Sequence, residues 1–245
     1  MVCKSCHQEV SGKYCSNCGQ SLAEGKITVP SLLHEVFHLF THLDHGILHT
    51  ISALIKKPGL MQREYIQGDR AKHQKPFSMY FVAATATALI LYWINHIVTD
   101  YYHAGEAGEV VFFNKYLVMT LLVTVPISTL IVYAFFFNSE YNFAEIGVMQ
   151  LYTLSVLLPM VACISLVKFI WHDFETRYIE FLLILIYSMI TFYNFFDYQR
   201  KWKVLLKCLL TSAIFFFSIT QLQDFIVHYI VALCDIPHKS DTNSV

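Results

Sequence analysis

Five stretches of this chain are apolar for long enough to cross a bilayer, and nothing else in the sequence constrains the fold as strongly. A spanning helix needs roughly 20 mostly apolar residues, because hydrocarbon offers no water to satisfy an open backbone. The stretches are residues 77–99, 116–137, 146–170, 178–196 and 204–222. Composition agrees, with 56% hydrophobic and 14% charged residues, against about 45–50% and about 25% in a soluble domain. The expected fold is an all-α polytopic membrane protein of about five transmembrane helices, with lipid as the surrounding medium. Pro126 and Pro159 fall inside the second and third stretches, where kinks are tolerated. Residues 225–233 are too short to cross alone, and read as interfacial, re-entrant or a continuation of the fifth helix.

Charge placement sets an expected topology. Lys56, Lys57, Arg63, Arg70, Lys72 and Lys75 precede the first stretch, and Arg200, Lys201 and Lys203 separate the fourth from the fifth. Cytoplasmic loops carry such an excess. The loop after the first stretch holds Asp100, Glu106 and Glu109 and belongs outside. An odd number of spans then puts the N-terminus inside, in the cytoplasm, and the C-terminus outside. Lys168 and Arg177 fall at the outer edge, from which they can snorkel. Net charge is −1, so no basic field invites nucleic acid.

The strongest local signal is Cys3-x-x-Cys6, eight residues, then Cys15-x-x-Cys18-Gly19. Each Cys-x-x-Cys turn aims two thiolates at one point, and two turns complete a tetrahedral shell for Zn²⁺. The spacing reads as a structural zinc ribbon rather than a disulfide pair, with iron or a redox dithiol as alternatives. About twenty residues cannot build a core, so the metal would supply the folding free energy. Gly19 suits a positive φ. His7 is a possible substitute ligand. Cys163, Cys208 and Cys234 read as small buried hydrophobes. The chain divides into the ribbon at residues 1–20, a linker at 21–28, an amphipathic and basic region at 29–75, the helical bundle at 76–234 and a polar tail at 235–245.

His34, His38, His42, His45 and His49 recur at helical spacing opposite an apolar face. This predicts one or two amphipathic helices lying on the cytosolic membrane surface or docked on the bundle. Asp44 would cap the second of them, and Pro58-Gly59 would stop it. The same stripe could bind metal through pairs one turn apart. His34-Glu35-x-x-His38 also matches H-E-x-x-H, in which Glu35 would activate a water on a zinc held by His34 and His38. A third ligand is not evident, with His42, Asp44 or His49 available. The basic residues ahead of the first span would sit among anionic lipid headgroups.

From Cys3 to Pro76 the sequence resembles a family of bacterial membrane proteins common in Bacteroidetes, domain of unknown function 3667. The resemblance lies in the four cysteines, then Leu43, Asp44, Gly46 and Thr50, then Pro58, Gly59, Arg63, Glu64, Tyr65, Gly68, Arg70, Lys75 and Pro76. Where relatives carry Lys and Tyr, this chain has His45 and His49. Where they carry Tyr-Phe, it has His73-Gln74. The resemblance implies a bacterial inner-membrane protein and supplies no activity. It draws attention to Asp44, Glu64, Tyr65 and Arg70, as a polar network or as caps and anchors.

The function expected is that of a non-enzymatic docking or regulatory platform, its ribbon meeting a protein partner. The alternatives are a membrane-bound zinc hydrolase using His34, Glu35 and His38, or a small transporter. A polar cavity among the spans would favour the transporter.

Overall fold

The computed structural model describes residues 2–22, 26–32, 46–102, 123–171, 176–197 and 199–233. Among them the regular structure is helical, with no strand beyond two isolated β-bridges. The histidines at 34, 38, 42 and 45, with Glu35 and Asp44, lie outside the described residues, as does the tail at 234–245.

Between residue 46 and the bundle lie two short helices, α1 (Ile47–Lys56) and α2 (Leu60–Ile66). The bundle comprises α3 (Pro76–Tyr102), α4 (Val123–Phe135), α5 (Phe143–Ser165), α6 (Arg177–Phe195) and α7 (Lys201–Leu233). Four segments are long and apolar enough to cross a membrane: Pro76–Ile97, Phe143–Ser165, Arg177–Phe195 and Lys201–Gln221. The expected second span is described only from Val123, and that part is shorter. The backbone of α7 continues as one helix to Leu233, so residues 225–233 extend it.

The axis of the bundle is α5. From Ala144 through Leu157 every residue is buried, although the hydropathy of this helix hardly differs from that of its neighbours. Its start is fixed by a capping box. Asn142 Oδ1 accepts from the Glu145 N–H, and Glu145 Oε2 accepts from the Asn142 N–H, both at 2.9 Å. The outer helices instead expose Leu89, Trp93, Leu182, Ile186 and Phe217. Outward apolar surface of that extent suits lipid. Cys208 is buried as expected, but Cys163 is exposed near the end of α5, because its position faces away from the neighbouring helices.

At one end of the bundle Phe136 and Phe196 stack with centroids 4.0 Å apart, and Phe192, Phe195 and Tyr141 close around them. Such ring pairs contribute about 0.5–1.5 kcal/mol each beyond burial. Against this end lie α1 and α2. Thr50 and Leu54 of α1 are buried, while Leu48 and Ile55 point outward. The helix is therefore docked on the bundle, its buried face formed by Thr50 and Leu54 with Ile47, Ile51 and Ala53 packed beside them.

Candidate metal centre

Residues 2–22 fold into two matching turns. The Cys3 N–H donates to the Gln8 carbonyl and His7 N–H to the Cys3 carbonyl; Cys15 N–H donates to Gln20 and Gly19 N–H to Cys15, all at 2.8–2.9 Å. His7 and Gly19 hold equivalent places, with φ of 58° and 72°. Histidine is among the residues that tolerate this left-handed region. The conformation explains His7: it completes a turn and is not among the side chains that converge.

The four thiols do converge. Cys3 Sγ is 3.6 Å from Cys18 Sγ, and Cys6 Sγ is 3.5 Å from Cys15 Sγ. All four sulfurs lie within 4.8 Å of one another, and none is in a disulfide. Sulfurs on a tetrahedral ion with bonds near ~2.3 Å sit about 3.8 Å apart, so the quartet could hold a metal with little movement. The Gln8 backbone N–H brings the Cys6 thiol down to about 6. Cys18 is pushed up to about 12: the Gln20 N–H lowers it, but burial and the neighbouring sulfurs outweigh that. A cation among the four sulfurs would favour their thiolate forms.

The module is tied to the bundle through the turn after α2. Gln20 is buried, and its Oε1 accepts from the N–H groups of Arg70 (3.2 Å) and Ala71 (2.7 Å). Lys4 Nζ donates to the Gln67 carbonyl at 2.7 Å. Gly68, at φ 109°, keeps that turn open beside the Lys4 stem.

The same segment is bolted to the membrane helices. Asn194 Nδ2 donates to the Pro58 carbonyl at 2.8 Å, and Tyr187 OH to the Leu54 carbonyl at 3.3 Å. Gly59 sits against Thr191 and Phe195, where a Cβ would collide with backbone. Gln62, fully buried, accepts from the Gly59 N–H and donates to Thr153 Oγ1 of α5. Arg63 pairs with Asp197 at 3.2 Å. Tyr65 meets Tyr152 edge-on, and Arg70 lies over the Tyr65 ring while donating to the Tyr65 carbonyl. Tyr152 OH donates to the Gln74 carbonyl, and Thr50 Oγ1 accepts from the Gln74 N–H at 2.8 Å. Gly46 lets residues 72–74 approach the start of α1. Sequence reasoning missed Gln20, Gln62 and Gln74. Nothing in a lone glutamine's spacing signals burial, whereas Asn142-x-x-Glu145 is a readable cap.

One cluster within this segment is not explained by anchoring. Glu64, Asp69 and His73 bring a ligand atom each to within 4.8 Å of the others. His73 is 7% exposed, and neither of its ring nitrogens has a hydrogen-bond partner. Burial brings its imidazole down to about 4, against an upward push from Asp69.

Among the bundle helices, Ser128, Gln150, Thr153, Ser188, Thr211 and Ser212 face a cavity of about 30 Å³. That holds about one water molecule, and no ionisable side chain lines it.

Length and apolarity of these helices mark the class: an α-helical membrane protein. Residues 44–87 match the family model described as Protein of unknown function (DUF3667). The matched range covers the docking segment and the first part of α3, leaving the cysteines outside it. No curated protein and no solved structure matches the chain.

Proposed function

We propose that this chain is an integral membrane protein of the bacterial inner membrane that carries a structural Zn²⁺ module as a docking or regulatory platform. The observation that supports it most is the closed set of Cys3, Cys6, Cys15 and Cys18 on a module tethered by Gln20 to a segment bolted into the bundle. Four thiolate ligands leave no position for water or substrate, which is the coordination of a structural site. Zinc fits the donor set because a tetrahedron of soft thiolates suits it, with iron as the alternative in the same shell. A rigid tether transmits the state of a partner-bound head to the helices, which a freely swinging module would not. The N-terminal head lies on the cytoplasmic side in this reading, since both basic segments meet at one end of the bundle through Arg63 and Asp197.

Complementation and metal content test this together. A strain lacking the protein should be rescued by Glu35→Gln but not by a chain without residues 2–22. Purified Cys15→Ser should lose its cysteine-bound zinc, with His34→Ala unaffected. Rescue that instead requires Glu35, with zinc lost on His34 or His38 substitution, would establish the hydrolase.

A further inference from the structure

We propose that Glu64, Asp69 and His73 form a second metal site, taking a first-row divalent ion such as Zn²⁺ or Mn²⁺ through one imidazole and two carboxylates. Two polar groups are orphaned here. Both nitrogens of His73 are enclosed without a partner, and so is Asp69 Oδ1. Buried polar atoms are nearly always satisfied, because leaving one unpaired forfeits its hydration without replacement. Two such groups side by side ask for a shared partner that is not a protein atom. Their ligand atoms lie within 4.8 Å of each other and of a Glu64 oxygen. Bonds near ~2.1 Å would bring donors to roughly 3–3.5 Å apart. Glu64 is exposed, so its side chain has room to close that gap.

The donor set selects the ion. Imidazole favours zinc, copper, iron or nickel, and carboxylates favour harder ions, so the mixture suits a borderline divalent metal. Three protein ligands leave coordination positions open, unlike the closed cysteine set. Lys72 now pairs with Asp69 Oδ2 at 2.6 Å and competes for the same carboxylate. Its side chain is 43% exposed, so it can turn to water when an ion enters. The site also has a structural position of interest. Arg70 and Ala71, between Asp69 and His73, are the residues that hold Gln20 of the cysteine module. His49 of α1 lies close by, its ring 5.2 Å from that of His73. An ion here would brace the turn between module and bundle.

The test uses the full chain purified in detergent, titrated with Zn²⁺ and, separately, with Co²⁺. Thiolate-bound Co²⁺ gives a charge-transfer band that a nitrogen–oxygen site lacks, so the two sites are read apart. Wild type should bind two equivalents. His73→Leu and Asp69→Asn should each bind one, or bind the second at least about tenfold more weakly, with the thiolate band intact. Lys72→Gln should tighten the second site. Should His73→Leu fail to stay monodisperse, Glu64→Gln, on an exposed side chain, gives the same reading. One equivalent in wild type with a full thiolate band would overturn the second site and leave the cysteine site standing. Two equivalents retained at wild-type affinity in both Asp69→Asn and Glu64→Gln would overturn it as well.

Discussion

Asn194 of α6 donates its side-chain amide to the carbonyl oxygen of Pro58, 2.8 Å away and 136 residues earlier in the chain. That bond fixes the turn between α1 and α2 onto the end of a membrane helix. The residue after Pro58 is the most constrained position in the interface.

Gly59 has φ 83° and stands so close to α6 that a Cβ would overlap the Thr191 carbonyl and crowd the Phe195 N–H. Gly59→Ala therefore combines left-handed strain with overpacking against backbone that cannot rotate away. The expected cost is roughly 2–4 kcal/mol, seen as a lower unfolding temperature in detergent. Gly12→Ala, where an added Cβ meets only ordinary contacts, should be close to neutral. Equal unfolding temperatures for the two variants would contradict the packing described.

Gln62 joins the same turn to α5. Replacing it with Leu preserves volume but leaves the Gly59 N–H buried without an acceptor, at about 1–3 kcal/mol. Thr153→Val takes the acceptor from Gln62 Nε2 and should cost less, at the low end of that range, about 1 kcal/mol, since Gln62 would still accept from Gly59. A reversed order in chemical denaturation would show that the Gln62–Gly59 bond is not the dominant one.

Gln20 decides whether the cysteine module stays docked. Gln20→Ala removes the acceptor for the Arg70 and Ala71 N–H groups without touching a cysteine. Limited proteolysis within residues 21–28 should accelerate, while the cysteine-bound metal is unchanged. Loss of that metal, or unchanged cleavage, would separate docking from this side chain.

Asp197 makes part of the stability depend on pH. Hydrogen bonds from Lys201 and then Arg63 hold its carboxyl below the ordinary value. A carboxyl depressed in the folded state stabilises the fold above the unfolded value, near ~3.9, and that contribution disappears as pH falls through the folded one. The wild type should therefore unfold at a higher temperature than Asp197→Asn at neutral pH, and the difference should vanish in strong acid. Because the Asp197 side chain is 57% exposed, the difference is small and shrinks with added salt. A gap that widens on acidification would reverse the assigned sign.

The spans are legible in the sequence because twenty apolar residues in a row have few other uses. The start of α6 falls one residue from expectation, and α5 begins at Phe143 rather than at 146. The earlier start is due to the Asn142–Glu145 box, a local signal that hydropathy alone passes over. Gly19 has the positive φ expected of it, but His7 shares the conformation, and its sequence context suggests only a spare ligand. The motif running from Pro58 to Pro76 stands out by its residues. That Gly59 and Arg63 serve contact with α6 and Asp197 is not readable there, because their partners lie more than a hundred residues away.

Periodicity, spacing and hydropathy are local properties, and by themselves they determine the helical class, the grouping of the four cysteines and the stops around Pro58. The choice of α5 as the buried axis and the seating of the cysteine module on Gln67, Arg70 and Ala71 were decided only by the tertiary structure. So was the enclosure of His73 beside Asp69. These depend on which surfaces meet once apolar helices of nearly equal hydropathy pack together. In that setting hydrophobicity no longer discriminates, and shape and polar satisfaction do.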